Sequence, residues 1–125
     1  MILKHHTLSP LDRKPQGAVA AGGQVRLRVT AEGDQTQLEL FLRVWNGGER
    51  RYPMRPLGVR DGQTVYEAQI GVGDAPGLLW YRFEGEAKGE HVVLGAPDDH
   101  TGCGEGVMGS DESFQITVYD AAYDT

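Results

Sequence analysis

The chain has 125 residues, a formal net charge of −6 and a single cysteine, Cys103. That length fits one domain able to bury a core without covalent staples. The acidic balance argues against nucleic acid or an anionic membrane as the main partner, and the lone thiol excludes an intrachain disulfide and suits a reducing compartment.

The opening stretch, MILKHHTLSP, has no apolar run long enough for a signal peptide, and no segment approaches a membrane span, so a cytoplasmic location is expected. His5 and His6 are adjacent and face opposite ways on a strand, which keeps them off a common metal; a packed or hydrogen-bonded pair on a first strand is expected. Residues 8–17 carry Pro10 and Pro15 and read as irregular. From there period-two runs follow one another. Val25, Leu27 and Val29 alternate with Arg26, Arg28 and Thr30. Leu38, Leu40, Leu42 and Val44 alternate with Glu39, Phe41, Arg43 and Trp45. Tyr66, Ala68, Ile70 and Val72 form a third run, Leu79, Tyr81 and Phe83 a fourth, Val92 and Leu94 a short fifth, and Phe114, Ile116 and Val118 the last.

Between the runs stand the turn signals AEGDQ, NGGE, RDGQ, VGDAPG and GEAKGE, with Asn46-Gly47 and Asp61-Gly62 the dipeptides suited to left-handed turns. No stretch keeps a helical apolar period over several turns. The expected fold is all-β: an immunoglobulin-like antiparallel β-sandwich of about seven to eight strands, one domain over residues 1–125, with a small barrel as the alternative. The shared phase of the runs predicts a core of Val25, Leu27, Val29, Leu38, Leu40, Leu42, Val44, Ile70, Tyr81, Phe83, Phe114, Ile116 and Val118. The opposite phase sends Phe41, Arg43 and Trp45 outward from one strand and Trp80 and Arg82 from another, and two outward tryptophans need some other surface to cover them.

A catalytic set is harder to find. Gly104, Gly106 and Gly109 match the spacing of a dinucleotide fingerprint, but a strand follows where the fingerprint needs a helix N-terminus. Cys103 follows His100 by three residues in a glycine-flanked loop, a poor holder for a nucleophile and its base. Asp98, Asp99, His100, Glu105, Asp111 and Glu112 make an acidic loop, read as solvated, with a calcium site as the alternative. Residues 95–110 are expected to be mobile and non-catalytic, with Cys103 reactive. No Ser-His-Asp set and no inward carboxylate pair emerges, so no catalytic residue and no metal ligand is assigned. The residues read as a non-catalytic module.

The stretches RVWNGGERRYPM and PGLLWYRF, followed at a distance by SFQITVYD, carry a resemblance. Across residues 5–120 the chain resembles the N-terminal β-domain, similar to carbohydrate-binding module family 34, of glycoside hydrolase family 13 enzymes of the amylopullulanase, neopullulanase and cyclomaltodextrinase kind. The resemblance implies an accessory domain ahead of an α-glucan-hydrolysing (β/α)₈ barrel. Such a domain contributes to starch or maltooligosaccharide binding, to shaping of the substrate entrance, or to homodimerisation. Residues 120–125 would then begin the linker to the barrel, which holds the catalytic carboxylates. Ala121 and Ala122 depart from the proline-containing linker usual there, and HVVLGAPDDHTG is poorer in aromatics than its counterpart, which weakens the case for a sugar contact from this loop. On this reading Trp45, Phe41, Arg43, Trp80 and Arg82 meet an α-glucan oligosaccharide or the barrel. The competing reading is a freestanding immunoglobulin-like interaction module with no sugar ligand.

Overall fold

A computed structural model describes residues 1–33, 38–46 and 48–120. The linker expected over 121–125 and the Gly47 half of the Asn46-Gly47 turn lie outside the described residues. In chain order the strands are β1 (Ile2–Lys4), β2 (Arg13–Lys14), β3 (Val19–Ala20), β4 (Gln24–Glu32), β5 (Glu39–Trp45) and β6 (Glu49–Pro53). They continue as β7 (Arg55–Arg60), β8 (Gln63–Gly71), β9 (Gly77–Ala87), β10 (Glu90–Gly95), β11 (Val107–Met108) and β12 (Phe114–Tyr119). Among the described residues eight of the twelve strands have five residues or more, within the seven to eight expected.

Two sheets form. In the first, β4 and β8 pair along nine residues, from Gln24 opposite Gly71 to Glu32 opposite Gln63. β7 extends this sheet beyond β8, while β1 and β2 lie end to end along the other edge of β4. The second sheet is built round β9. β5 runs along one of its edges, from Glu39 opposite Glu86 to Trp45 opposite Trp80. β12 and β10 share the other edge end to end, meeting residues 77–81 and 83–87 respectively. β6 continues the sheet beyond β5, β11 beyond β10 and β3 beyond β12.

Period-two alternation decides what lies between the sheets. Every second residue of β4 is buried, with Val25, Leu27 and Val29 fully covered, and β5 buries Leu40, Leu42 and Val44 in the same way. Twelve of the thirteen expected core residues are buried; Leu38, just ahead of β5, is half-covered and packs against the core. Tyr81, Phe83 and Phe114 meet at its centre with the His5 ring, at centroid separations of 4.7 to 6.2 Å. Each of the two phenylalanine rings contributes ~1.5–3 kcal/mol by leaving water. Two hairpin turns have the geometry that matches strand twist: Asp61 and Gly62 sit at φ 54° and 76°, and Lys88 and Gly89 at 52° and 82°.

The structure corrects the sequence reading in four places. β6 and β7 are strands although their side chains are almost all exposed, so no apolar alternation marks them. The sandwich is not wholly antiparallel, because β3 pairs with β12 in parallel, Val19 opposite Val118. Residues 8–17 are irregular apart from β2. The glycine-rich loop after β10 contains β11 and is tethered by its backbone where side-chain anchors are lacking: Gly106 N–H donates to the His5 carbonyl at 2.7 Å, Gly104 N–H to Thr7 Oγ1 at 2.8 Å, and Gln115 N–H to the Gly102 carbonyl at 2.8 Å.

Candidate functional site

The pairing of β6, β5, β9 and β12 fixes which outward side chains share a row on the second sheet. Glu49, Trp45, Trp80 and Gln115 lie opposite one another across the four strands. The next row holds Arg51, Arg43 and Arg82, and the one beyond it Pro53, Phe41 and Glu84. Neighbouring strands stand about 4.8 Å apart, so the first row is a strip some four side chains wide. All five residues singled out from the sequence, Phe41, Arg43, Trp45, Trp80 and Arg82, are therefore on one face, and all five are half-exposed.

The arginine row is interleaved with the aromatics. The Arg51 guanidinium lies over the Phe41 ring at 4.4 Å, and those of Arg43 and Arg82 over the Trp45 ring at 4.8 and 4.9 Å. Arg43 is also held by two carboxylates, Nε donating to Glu49 at 2.6 Å and Nη1 to Glu84 at 2.7 Å. These two bonds push the Arg43 pKa further up, so it stays charged. The Arg43 bond in turn holds the Glu49 carboxyl below its usual range, helped by a hydrogen bond from Trp45. Arg82 differs: among the described residues it reaches the Asp111 carbonyl, at 3.4 Å, and its Nε has no hydrogen-bond partner. Trp45 is therefore partly roofed by cations, among the described residues no guanidinium lies over Trp80 beside it, and Arg82 and Gln115 bring hydrogen-bonding groups to the same strip.

Glu49, Arg51, Glu84 and Gln115 belong to this face and were not assigned to a site from the sequence. The alternation of residues 113–118 placed Gln115 outward, but nothing in it tells that β12 lies beside β9. The remaining candidates disperse. His5 and His6 lie just beyond β1 rather than on it, His6 in an isolated bridge to Glu105; His5 is buried and His6 half-exposed. Of the acidic loop, Asp98, His100 and Glu112 bring one ligand atom each within 4.8 Å, with His100 Nδ1 and Glu112 Oε1 3.3 Å apart. Asp99 is instead capped by the Thr101 hydroxyl and N–H, which lower its pKa, and Glu105 sits opposite His6. Cys103 is exposed, and its sulfur meets the Thr101 hydroxyl at 3.6 Å, which is no base.

Comparison with known proteins places this fold and face in context. No family model matches the chain. It is 31% identical over 129 residues to an amylopullulanase of Thermoanaerobacterium saccharolyticum, an alignment covering 98% of this chain and 10% of that one. Over almost its whole length the chain is similar to a segment of an amylopullulanase. A second amylopullulanase, from Thermoanaerobacter thermohydrosulfuricus, is 29% identical over the same length, 98% of this chain and 9% of the relative. The chain thus spans about a tenth of the curated relatives it matches.

Its fold recurs in solved structures. A cycloalternan-forming enzyme from Listeria monocytogenes, in complex with pentasaccharide substrate, matches with a TM-score of 0.63 at 16% identity, over 92% of this chain and 10% of that one. A cyclomaltodextrinase matches with a TM-score of 0.60 at 15% identity, over 91% of this chain and 19% of that one. The resemblance carried by RVWNGGERRYPM, PGLLWYRF and SFQITVYD is borne out.

Proposed function

We propose that this domain is a non-catalytic accessory domain of an α-glucan-degrading glycoside hydrolase, and that the outward face of the second sheet is where it meets α-glucan. The observation that carries the reading is the pairing of Trp45 with Trp80 in one cross-strand row ending in Gln115, beside Arg82. Glucose units offer flat C–H-rich faces that stack on such rings and hydroxyls that accept from guanidinium and amide donors. Two half-exposed rings support a weak contact; a Kd of ~1 mM corresponds to about −4 kcal/mol. The relatives, long enzymes in which this chain matches about a tenth, support an accessory role.

One observation favours a second reading, in which the face docks on a neighbouring domain of a longer parent chain. Arg43 and Arg82 already lie over the Trp45 ring, so a sugar has less of that ring to use. The deciding experiment is a titration of the wild type and Trp45→Ala with maltoheptaose, followed by tryptophan fluorescence and calorimetry. Binding that is lost in the variant supports the sugar reading. Absence of binding, together with protease protection of this domain only when fused to its parent enzyme, moves the assignment to docking.

A further inference from the structure

We propose that residues 5–13 form an acid-released latch, pinned by His5, which holds the glycine-rich loop against the sandwich and through it steadies one end of the Trp45–Trp80 face.

The hydrogen bonds of His5 define its protonation. The ring is 1% exposed, and its Nδ1 lies 2.7 Å from the Arg28 carbonyl oxygen, which can only accept. Nδ1 therefore carries the proton. In a neutral ring Nε2 is then a bare acceptor, and the Tyr81 hydroxyl, 2.9 Å away, donates to it. The Tyr81 oxygen is in turn served by Arg13, a buried guanidinium lying over the Tyr81 ring at 6.0 Å, with an Nε that has no hydrogen-bond partner. A second proton on His5 would point an N–H at a hydroxyl already donating to it. It would also place a new cation near Arg13 in a site packed with the Phe83 and Phe114 rings.

The pin holds more than itself. The His5 carbonyl accepts from Gly106 N–H, while Thr7 N–H donates to the Gly104 carbonyl at 3.2 Å and Thr7 Oγ1 accepts from Gly104 N–H. The loop so held supplies the Gly102 carbonyl to Gln115 N–H and the Asp111 carbonyl to Arg82. A chain of contacts thus runs from the His5 ring to two residues of the candidate face.

The charged and titratable groups around His5 are Arg13 from β2, Tyr81 from β9, Arg28 from β4, and His6 and Asp12 from its own segment. Burial pushes His5 down to about 4; the Arg28 hydrogen bond opposes this, and Arg13 and His6 add to it. A folded value below the value of the open segment means that opening takes up a proton, so the closed form is fully favoured above about 6.5 and loses ground as pH falls. The opening constant should rise by up to ~tenfold per pH unit between about 6.5 and about 4. Asp12, raised by burial, works in the opposite sense at the acid end of that range.

The test is amide hydrogen exchange followed by NMR, corrected for intrinsic rates, across about pH 6.5 to 4.5 in wild type, His5→Asn and His6→Gln. Asn keeps a donor for the Arg28 carbonyl and cannot titrate. The expected result is an opening constant at Gly104 and Gly106 that climbs ~tenfold per unit in wild type and His6→Gln and stays flat in His5→Asn, while Leu27 and Val29 in the β4 ladder do not change. A flat wild-type profile, an equal rise at the ladder amides, or the same slope in His5→Asn overturns the proposal. Should His5→Asn fail to fold, the His5 ring nitrogen shifts in wild type decide: titration in step with loop opening supports the latch, and titration without opening overturns it.

Discussion

Trp45 and Trp80 stand directly opposite each other across β5 and β9, and the guanidiniums of the adjoining row, Arg43 and Arg82, both lie over the Trp45 ring. The two arginines are not equivalent. Arg43 is bound by Glu49 and by Glu84, whose side chain is only 9% exposed, whereas Arg82 reaches one backbone carbonyl at 3.4 Å. Removing Arg43 strands a largely covered carboxylate, whereas removing Arg82 leaves no described carboxylate without its partner. Arg43→Ala should therefore cost ~1–3 kcal/mol of stability. Arg82→Ala should cost about the 0.5–1 kcal/mol of a half-exposed cation–π contact. Denaturant unfolding of the two variants checks the order, and equal losses would show that Glu84 finds another partner.

At Gly85, between Leu40 and Val92, a hydrogen atom is all that fits. A methyl group at Gly85 of β9 would come within 2.7 Å of Leu40 Cδ2, 3.2 Å of Val92 Cγ2 and 3.3 Å of the Glu39 carbonyl oxygen. Gly85→Ala should destabilise by ~1–3 kcal/mol through overpacking. Leu40→Ala, a cavity in a buried site, should cost ~2–5 kcal/mol. The double variant should cost less than the sum, because removing Leu40 makes room for the methyl. Additivity in a thermal or urea series would mean that the backbone of Glu39 sets the limit.

Much of this was legible in the chain. Val25, Leu27, Val29, Leu40, Leu42 and Val44 show their burial through alternation alone, since one buried sheet face imposes a period of two. The outward phase of Phe41, Arg43, Trp45, Trp80 and Arg82 follows from the same rule. β6 and β7 were not legible, because an edge strand with both faces open to solvent has no period to show. Pairing was not legible either. Alternation places Gln115 on an outward face without saying that its neighbour is Trp80, and RDGQ marks a turn without saying which strands it joins. The tethering of the glycine-rich loop was hidden for a related reason: apart from the Thr7 hydroxyl, its bonds to His5, Thr7 and Gln115 use backbone groups, which every residue carries.

Acid sensitivity should have a second source besides His5. Glu67 accepts from Arg28 Nε at 2.8 Å and Arg55 Nη2 at 3.3 Å, and the Arg28 bond, followed by the Arg55 bond, holds its carboxyl below the usual range. A folded carboxylate with a depressed pKa contributes stability that is present above its unfolded value, about 4.3, and is lost as pH falls through the folded one. Between about pH 4.5 and 3 the wild type should lose more of its urea midpoint than Glu67→Gln does. Parallel curves for the two proteins would show that Arg28 and Arg55 stabilise the charged and the neutral side chain alike.

Two glycines with the same backbone twist separate conformational strain from contact. Gly62 sits at φ 76° in the β7–β8 turn, and a methyl group there would meet nothing within 4 Å. Gly102 sits at φ 72°, and a methyl group there would press on the Gln115 side chain, 2.6 Å from Cβ, 3.0 Å from Cγ and 3.1 Å from Cδ. Both Ala variants incur the left-handed penalty of ~1–2 kcal/mol. Only Gly102→Ala must also displace Gln115, and overpacking of that kind costs a further ~1–3 kcal/mol. Because Gln115 lies opposite Trp80 in the register of β12 and β9, the displacement should reach the candidate face. Gly102→Ala is therefore expected to be the less stable variant and to change the near-ultraviolet circular dichroism of the tryptophans, whereas Gly62→Ala should leave that spectrum as it is. An unchanged spectrum in Gly102→Ala would show that the loop yields to the methyl group and that Gln115 holds its place beside Trp80 without it.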